Sequence, residues 1–184
     1  MKLIMPKRKI NQPITPKNSN FKKTSFSILV SITLLFSLSN YGQEIIELKK
    51  YISQSKLSVN PSTVAESKHL NDLISDLNSS VIIKKGNLNT YSNAPFIRAV
   101  IDSYSINKIP SSTTYFNNVE LLIIRIEKPE DLSISIDESI INQFPKLKYV
   151  YFLCTYNCTF SQIENLVKYK NTTIKFLYSI SIPS

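Results

Sequence analysis

Residues 116–126 read Phe116-Asn117-Asn118-Val119-Glu120-Leu121-Leu122-Ile123-Ile124-Arg125-Ile126, and residues 144–154 read Phe144-Pro145-Lys146-Leu147-Lys148-Tyr149-Val150-Tyr151-Phe152-Leu153-Cys154. The two stretches are copies of one phrase. In each, a phenylalanine and a polar turn precede an apolar-x-x-apolar-x-apolar run: Val119, Leu122 and Ile124 in the first, Leu147, Val150 and Phe152 in the second. Short runs rich in β-branched and aromatic residues, bounded by turn residues, read as strands. Strands that are apolar almost throughout are the kind that parallel sheets bury on both faces.

Working outward, the same frame recurs upstream at Phe96, Ala99 and Ile101, and downstream at Ile174 and Leu177, where Ser179 takes the third place. The starts lie 23, 28 and 27 residues apart. Such periods fall in the range of about 20–29 residues used by leucine-rich repeats. The connecting segments Ile109-Pro110-Ser111-Ser112 and Ile136-Asp137-Glu138-Ser139-Ile140 each carry an aliphatic ahead of the phenylalanine that opens the next copy. The chain from 93 to 184 thus resembles a degenerate leucine-rich-repeat protein. The resemblance implies an α/β fold: a short solenoid of parallel strands. It departs from the family at the bend after each strand, where the expected asparagines are replaced by Tyr104, Glu127, Thr155 and Ile182. Other groups must then satisfy the backbone at those bends. An ordinary α/β domain with short helices between parallel strands fits the same order of elements. In either reading 119–126, 147–154 and 174–181 are expected as parallel neighbours.

Residues 43–90 are expected to form an N-terminal helical cap. Ile45, Ile46, Leu48, Tyr51 and Ile52 suit a first short helix, which Asn60-Pro61 interrupts. A second helix is expected from Ser62 or Thr63, with Glu66 completing a capping box. Leu70, Leu73, Ile74 and Leu77 follow the i, i+3, i+4, i+7 rule and predict one buried stripe. Val81–Ile83 reads as a short strand and Gly86–Asn93 as a polar connection.

Residues 1–42 read as a signal peptide. Seven basic and no acidic residues lead into the apolar run Phe26–Leu38, followed by Ser39-Asn40-Tyr41-Gly42-Gln43. The ending Tyr-Gly-Gln resembles the signals of exported Bacteroidetes proteins. A run of 13 residues with four hydroxyl side chains is short of the roughly 20 apolar residues of a spanning helix. The expectation is therefore an exported, periplasmic or extracellular chain, 43–184, without stable membrane insertion; an uncleaved anchor is the alternative. The whole chain carries 22 basic and 13 acidic residues, a formal +9. Removing the leader leaves 15 and 13, or +2. That balance, with no long block of like charge, argues against a nucleic-acid partner.

Little in the chain points to catalysis, and no enzyme, metal or cofactor is expected. His69, the single histidine, has no serine, cysteine or carboxylate at a recognisable spacing. Past the leader Gly86 is the one glycine, too few for a phosphate-cradling loop. Glu127, Glu130, Asp131, Asp137 and Glu138 lack the spacing of a calcium loop and read as solvated. Cys154 and Cys158 are either a structural disulfide or two free thiols; a bond requires the chain to turn over Thr155–Asn157, because four extended residues span about 13 Å.

The expected function is an exported protein- or peptide-binding domain, the alternative being a small envelope inhibitor of the immunity type that neutralises an enzyme or toxin. In the repeat frame the partner-binding face is formed by two columns: Arg98, Leu121, Tyr149 and Phe176, then Val100, Ile123, Tyr151 and Tyr178. A sheet covered on both faces would explain the same apolar residues. The strand Ile174–Ile182 has no cap after it and is expected to offer an edge for weak self-association.

Overall fold

Side chains from two layers clamp a seven-stranded sheet, and the sequence of each strand shows why. The computed structural model describes residues 44–90, 93, 95–109, 114–169 and 173–182. The chain divides into two compact units, Met1–Asn40 and Tyr41–Ser184, and every described residue belongs to the second. The expected signal peptide lies outside the described residues.

The elements are β1 (Ile45–Glu47), α1 (Leu48–Lys56), α2 (Pro61–Ser75), β2 (Ser80–Lys84), β3 (Asn87–Thr90), β4 (Arg98–Asp102), β5 (Leu121–Ile126), α3 (Glu138–Ile141), β6 (Tyr149–Cys154), α4 (Phe160–Glu164) and β7 (Lys175–Ile180), with 3₁₀ turns at Ser103–Lys108, Thr114–Phe116 and Pro129–Ser133. The sheet order is β1-β7-β6-β5-β4-β2-β3. All pairs are parallel except β2 with β3. The four repeat strands therefore lie side by side in chain order, as the sequence pattern predicts.

Alternation along the strands sends two sets of residues to opposite faces. Ala99, Ile101, Leu122, Ile124, Val150, Phe152 and Phe176 pack against Phe116, Ile140, Phe144, Ile163 and Leu166 from the connections. Leu121, Ile123, Tyr149, Tyr151 and Leu177 pack against Tyr51 of α1 and Leu70 and Leu73 of α2. The two N-terminal helices are thus not an end cap. They cross from β1 at one edge to β2 near the other and cover the second face.

Local chemistry moves several boundaries. Asn60 caps α2, its side chain accepting from the Ser62 amide at 3.0 Å with Pro61 in the first helical position. Proline there is preorganised and lacks only an amide the helix would leave unpaired. That replaces the expected start at Ser62 or Thr63. α2 stops at Ser75, so Leu77 falls past the end of the stripe and is fully exposed. The polar connection after Gly86 is in part β3: Lys85 (φ 52) and Gly86 (φ 77) make the two-residue hairpin turn, whose central pair needs positive φ.

The last repeat is out of phase. Tyr149 pairs with Lys175 and Tyr151 with Leu177, one residue earlier than the repeat frame places them. A one-residue slip moves every side chain to the other face. Nor is β7 an open edge over its first half, since β1 pairs with Phe176, Leu177 and Tyr178. Among the described residues no helix is long and apolar enough to cross a membrane. Cys154 and Cys158 lie at disulfide distance with Cα atoms 6.9 Å apart.

Candidate ligand-binding cleft

The proposed binding columns do not form an open surface. Leu121, Ile123, Tyr149 and Tyr151 are buried beneath α1 and α2, and Val100 packs against the same cluster. Phe176 and Tyr178 face the opposite layer because of the register slip; Phe176 is in the core and Tyr178 sits 5.6 Å from the Phe160 ring. Arg98 has a structural task. Its Nε donates to Ser80 Oγ at 2.8 Å, and its Nη1 donates to the carbonyls of Leu73 and Ile74 at 3.1 Å. These are carbonyls that the last turn of α2 leaves unpaired. Burial lowers the Arg98 pKa. The feature that misled was composition: an apolar, aromatic column looks the same under a helix as under a partner.

At the amino ends of β5–β7, charged groups hold the covering helix down. Glu120 Oε2 lies 2.6 Å from His69 Nε2 and 3.0 Å from Lys148 Nζ. Burial alone would raise the Glu120 carboxyl pKa, but the hydrogen bonds from His69 and Lys148 outweigh it and leave the pKa lowered. Lys175 Nζ meets Glu66 Oε1 at 2.7 Å. Tyr149 lies close by, and burial together with Glu66 pushes its phenol well up. His69 is therefore a surface tether of α2, held by the Glu120 carboxylate.

A concavity opens at the other end of the sheet, where β2, β4 and β5 finish. A cleft of about 520 Å³ lies there, within the roughly 300–1,000 Å³ of ligand sites. In open parallel sheets ligands commonly bind beyond the carboxyl ends of the strands. Two of its carboxylates are consumed by backbone. Asp102 accepts from the Lys85 amide at 2.8 Å and the Ser105 amide at 3.0 Å, tying β4 to the hairpin turn. Asp131, only 8% exposed, accepts from the Glu127 and Lys128 amides at 2.8 and 3.1 Å and from the Ser103 hydroxyl. These aspartates satisfy backbone amides at the bends after β2, β4 and β5. Asp131 is thus not the solvated acid its loop suggests, and Asp137 is the N-cap of α3, accepting from Ser139 and Ile140.

The third carboxylate, Glu127, pairs with Arg125 at 3.1 Å. What remains on the cleft wall is the exposed Tyr104 ring and three lysines. Lys84, Lys85 and Lys128 line it, are exposed, and make no ion pair with a described residue. Sequence reading takes Lys84–Lys85 only as a solvated pair and does not join Lys128 to it, because the three come from a β2 end, a hairpin turn and a bend 43 residues later, and no spacing rule joins those places. Among the described residues no cluster of three or more His, Cys, Asp or Glu is arranged to hold a metal ion. Compared with protein-family models, with curated proteins and with solved structures, the chain matches none.

Proposed function

We propose that the chain is an exported interaction domain, built of degenerate leucine-rich-repeat-like units, that binds a protein or peptide and catalyses no reaction. The observation that carries this reading is the cleft beyond β2, β4 and β5. It is concave, its carboxylates are engaged in backbone bonds or an ion pair, and its lysines make no ion pair with a described residue. The Ser103 hydroxyl, the one aliphatic hydroxyl on the wall, donates to Asp131, whose carboxylate also holds the Glu127 and Lys128 amides. Such a wall suits recognition better than bond breaking.

The solenoid reading draws support from side chains at equivalent places in successive copies. Phe116 and Phe144 stack with centroids 4.9 Å apart. Lys146 Nζ donates to Asn118 Oδ1 at 2.6 Å, and Lys148 meets Glu120 at 3.0 Å. On the far side Ile136 and Val167, in consecutive connections, share a parallel bridge. Stacked equivalents are how repeat proteins transmit stability from unit to unit. Export is supported by the basic-apolar leader and by the paired cysteines, since disulfides persist outside the reducing cytosol.

The test is capture from a cell-envelope extract with the tagged chain 43–184, comparing it with a triple variant, Lys84→Gln, Lys85→Gln and Lys128→Gln. One partner retained by the natural sequence and lost by the variant supports the reading. Equal capture by both places the interaction elsewhere on the molecule and refutes the cleft. Mass spectrometry of the exported chain checks the leader: an N-terminus at Gln43 is expected, and an intact Met1 contradicts it.

A further inference from the structure

Resting on that reading, we infer that the cleft takes an acidic peptide segment, its carboxylates held by Lys84, Lys85 and Lys128. All three lysines line one concavity, and each is exposed. Two adjacent lysines come from the end of β2 and its hairpin turn, and the third from the bend beyond β5. The lining holds four basic side chains against three carboxylates, and all three carboxylates are engaged by backbone amides or by Arg125, which leaves the lysines as the groups open to an incoming anion.

The chemistry also selects among anions. Compact phosphates are commonly held by backbone amides that converge in a turn or by the bidentate fork of an arginine. Here the Lys85, Glu127 and Lys128 amides already bond Asp102 and Asp131, and the Arg125 guanidinium is paired with Glu127. The molecule's own carboxylates occupy the places where a phosphate would be gripped. Only flexible, point-charge lysines remain free, and they suit several carboxylates spread along a chain. An acidic peptide is therefore favoured over a compact phosphate, and the small net charge of residues 43–184, +2, disfavours a nucleic-acid backbone.

The experiment is fluorescence anisotropy of a labelled hexaglutamate peptide with the chain 43–184, with hexaglutamine as the neutral control. Inorganic phosphate and a single-stranded oligonucleotide serve as competitors. Saturable binding of hexaglutamate is expected, weakening as salt rises. Changing all three lysines to glutamine should weaken it about tenfold, three modest ion pairs together. The arginine triple variant should retain binding. A charge-matched control on α1, Lys49→Gln, Lys50→Gln and Lys56→Gln, should bind as the natural sequence does. All three control positions are exposed on that helix and away from the cleft lining.

Equal loss in the cleft and control variants shows attraction by net charge alone and overturns the inference. So does displacement by phosphate or oligonucleotide at lower concentration than by free glutamate peptide. Absence of hexaglutamate binding, with an envelope partner still captured in a lysine-dependent way, leaves the cleft as the docking site and overturns only its acidic specificity. Capture that ignores the three lysines overturns the broader reading as well.

Discussion

Leu70→Ala tests whether α1 and α2 are a fixed cover on the sheet. Leu70 is 0% exposed and sits in the cluster with Leu121, Tyr149, Tyr151 and Leu177. The substitution removes three carbons, worth about 2.4 kcal/mol of transfer free energy at about 0.8 kcal/mol each. The cavity left behind adds to this, because packed surroundings relax only in part, so a cost of about 3–4 kcal/mol is expected. For a domain of this size that lowers Tm by roughly 10 °C. Thermal unfolding followed by circular dichroism, with Leu77→Ala measured beside it, is the assay. Leu77 is two residues past the helix and fully exposed, so its variant should stay within about 0.5 kcal/mol of the natural sequence. If Leu70→Ala melts with Leu77→Ala, the helix does not seal that face. The aromatic columns beneath it would then be free for a ligand, contrary to the reasoning above.

Other consequences follow from single groups. Arg98→Lys should lose about 1–3 kcal/mol, seen as a lower urea midpoint, since one ammonium cannot serve Ser80 and the α2 carbonyls together; an unchanged midpoint contradicts the capping role. The lowered Glu120 pKa implies stability present above the unfolded glutamate value of about 4.3 and lost as pH falls through the folded one. Melting curves taken through that acid range should therefore drop less steeply for Glu120→Gln; parallel curves would remove the Glu120 tether from the account. A thiol assay on denatured, non-reduced protein should find no free Cys154 or Cys158. Reducing so small a loop should cost about 2 kcal/mol or less on the loop-entropy account.

Much of the sheet was legible in the chain because its signal is local. The phrases at Phe116 and Phe144 carry their own turn, strand and apolar alternation, and burial on both faces only strengthens that pattern. The slip at β7 was not legible, since Phe176 and Leu177 are equally apolar and the choice between them is made by pairing with β6. β3 was read as connection because Asn87–Thr90 is polar and needs only one neighbour, at the sheet edge. The bend aspartates were hidden for a related reason: Asp131 looks like a solvated acid until Glu127 and Lys128 fold back over it.

By itself the sequence determined the class of fold, the chain order of the parallel strands and the change of charge balance at the leader. Each of these depends on residues close together in the chain. Tertiary structure alone decided that α1 and α2 cover the second face of the sheet, and where a concavity remains. It also brought Lys84, Lys85 and Lys128 to one wall, because such juxtapositions depend on strand pairing across the sheet, which no residue spacing along the chain encodes.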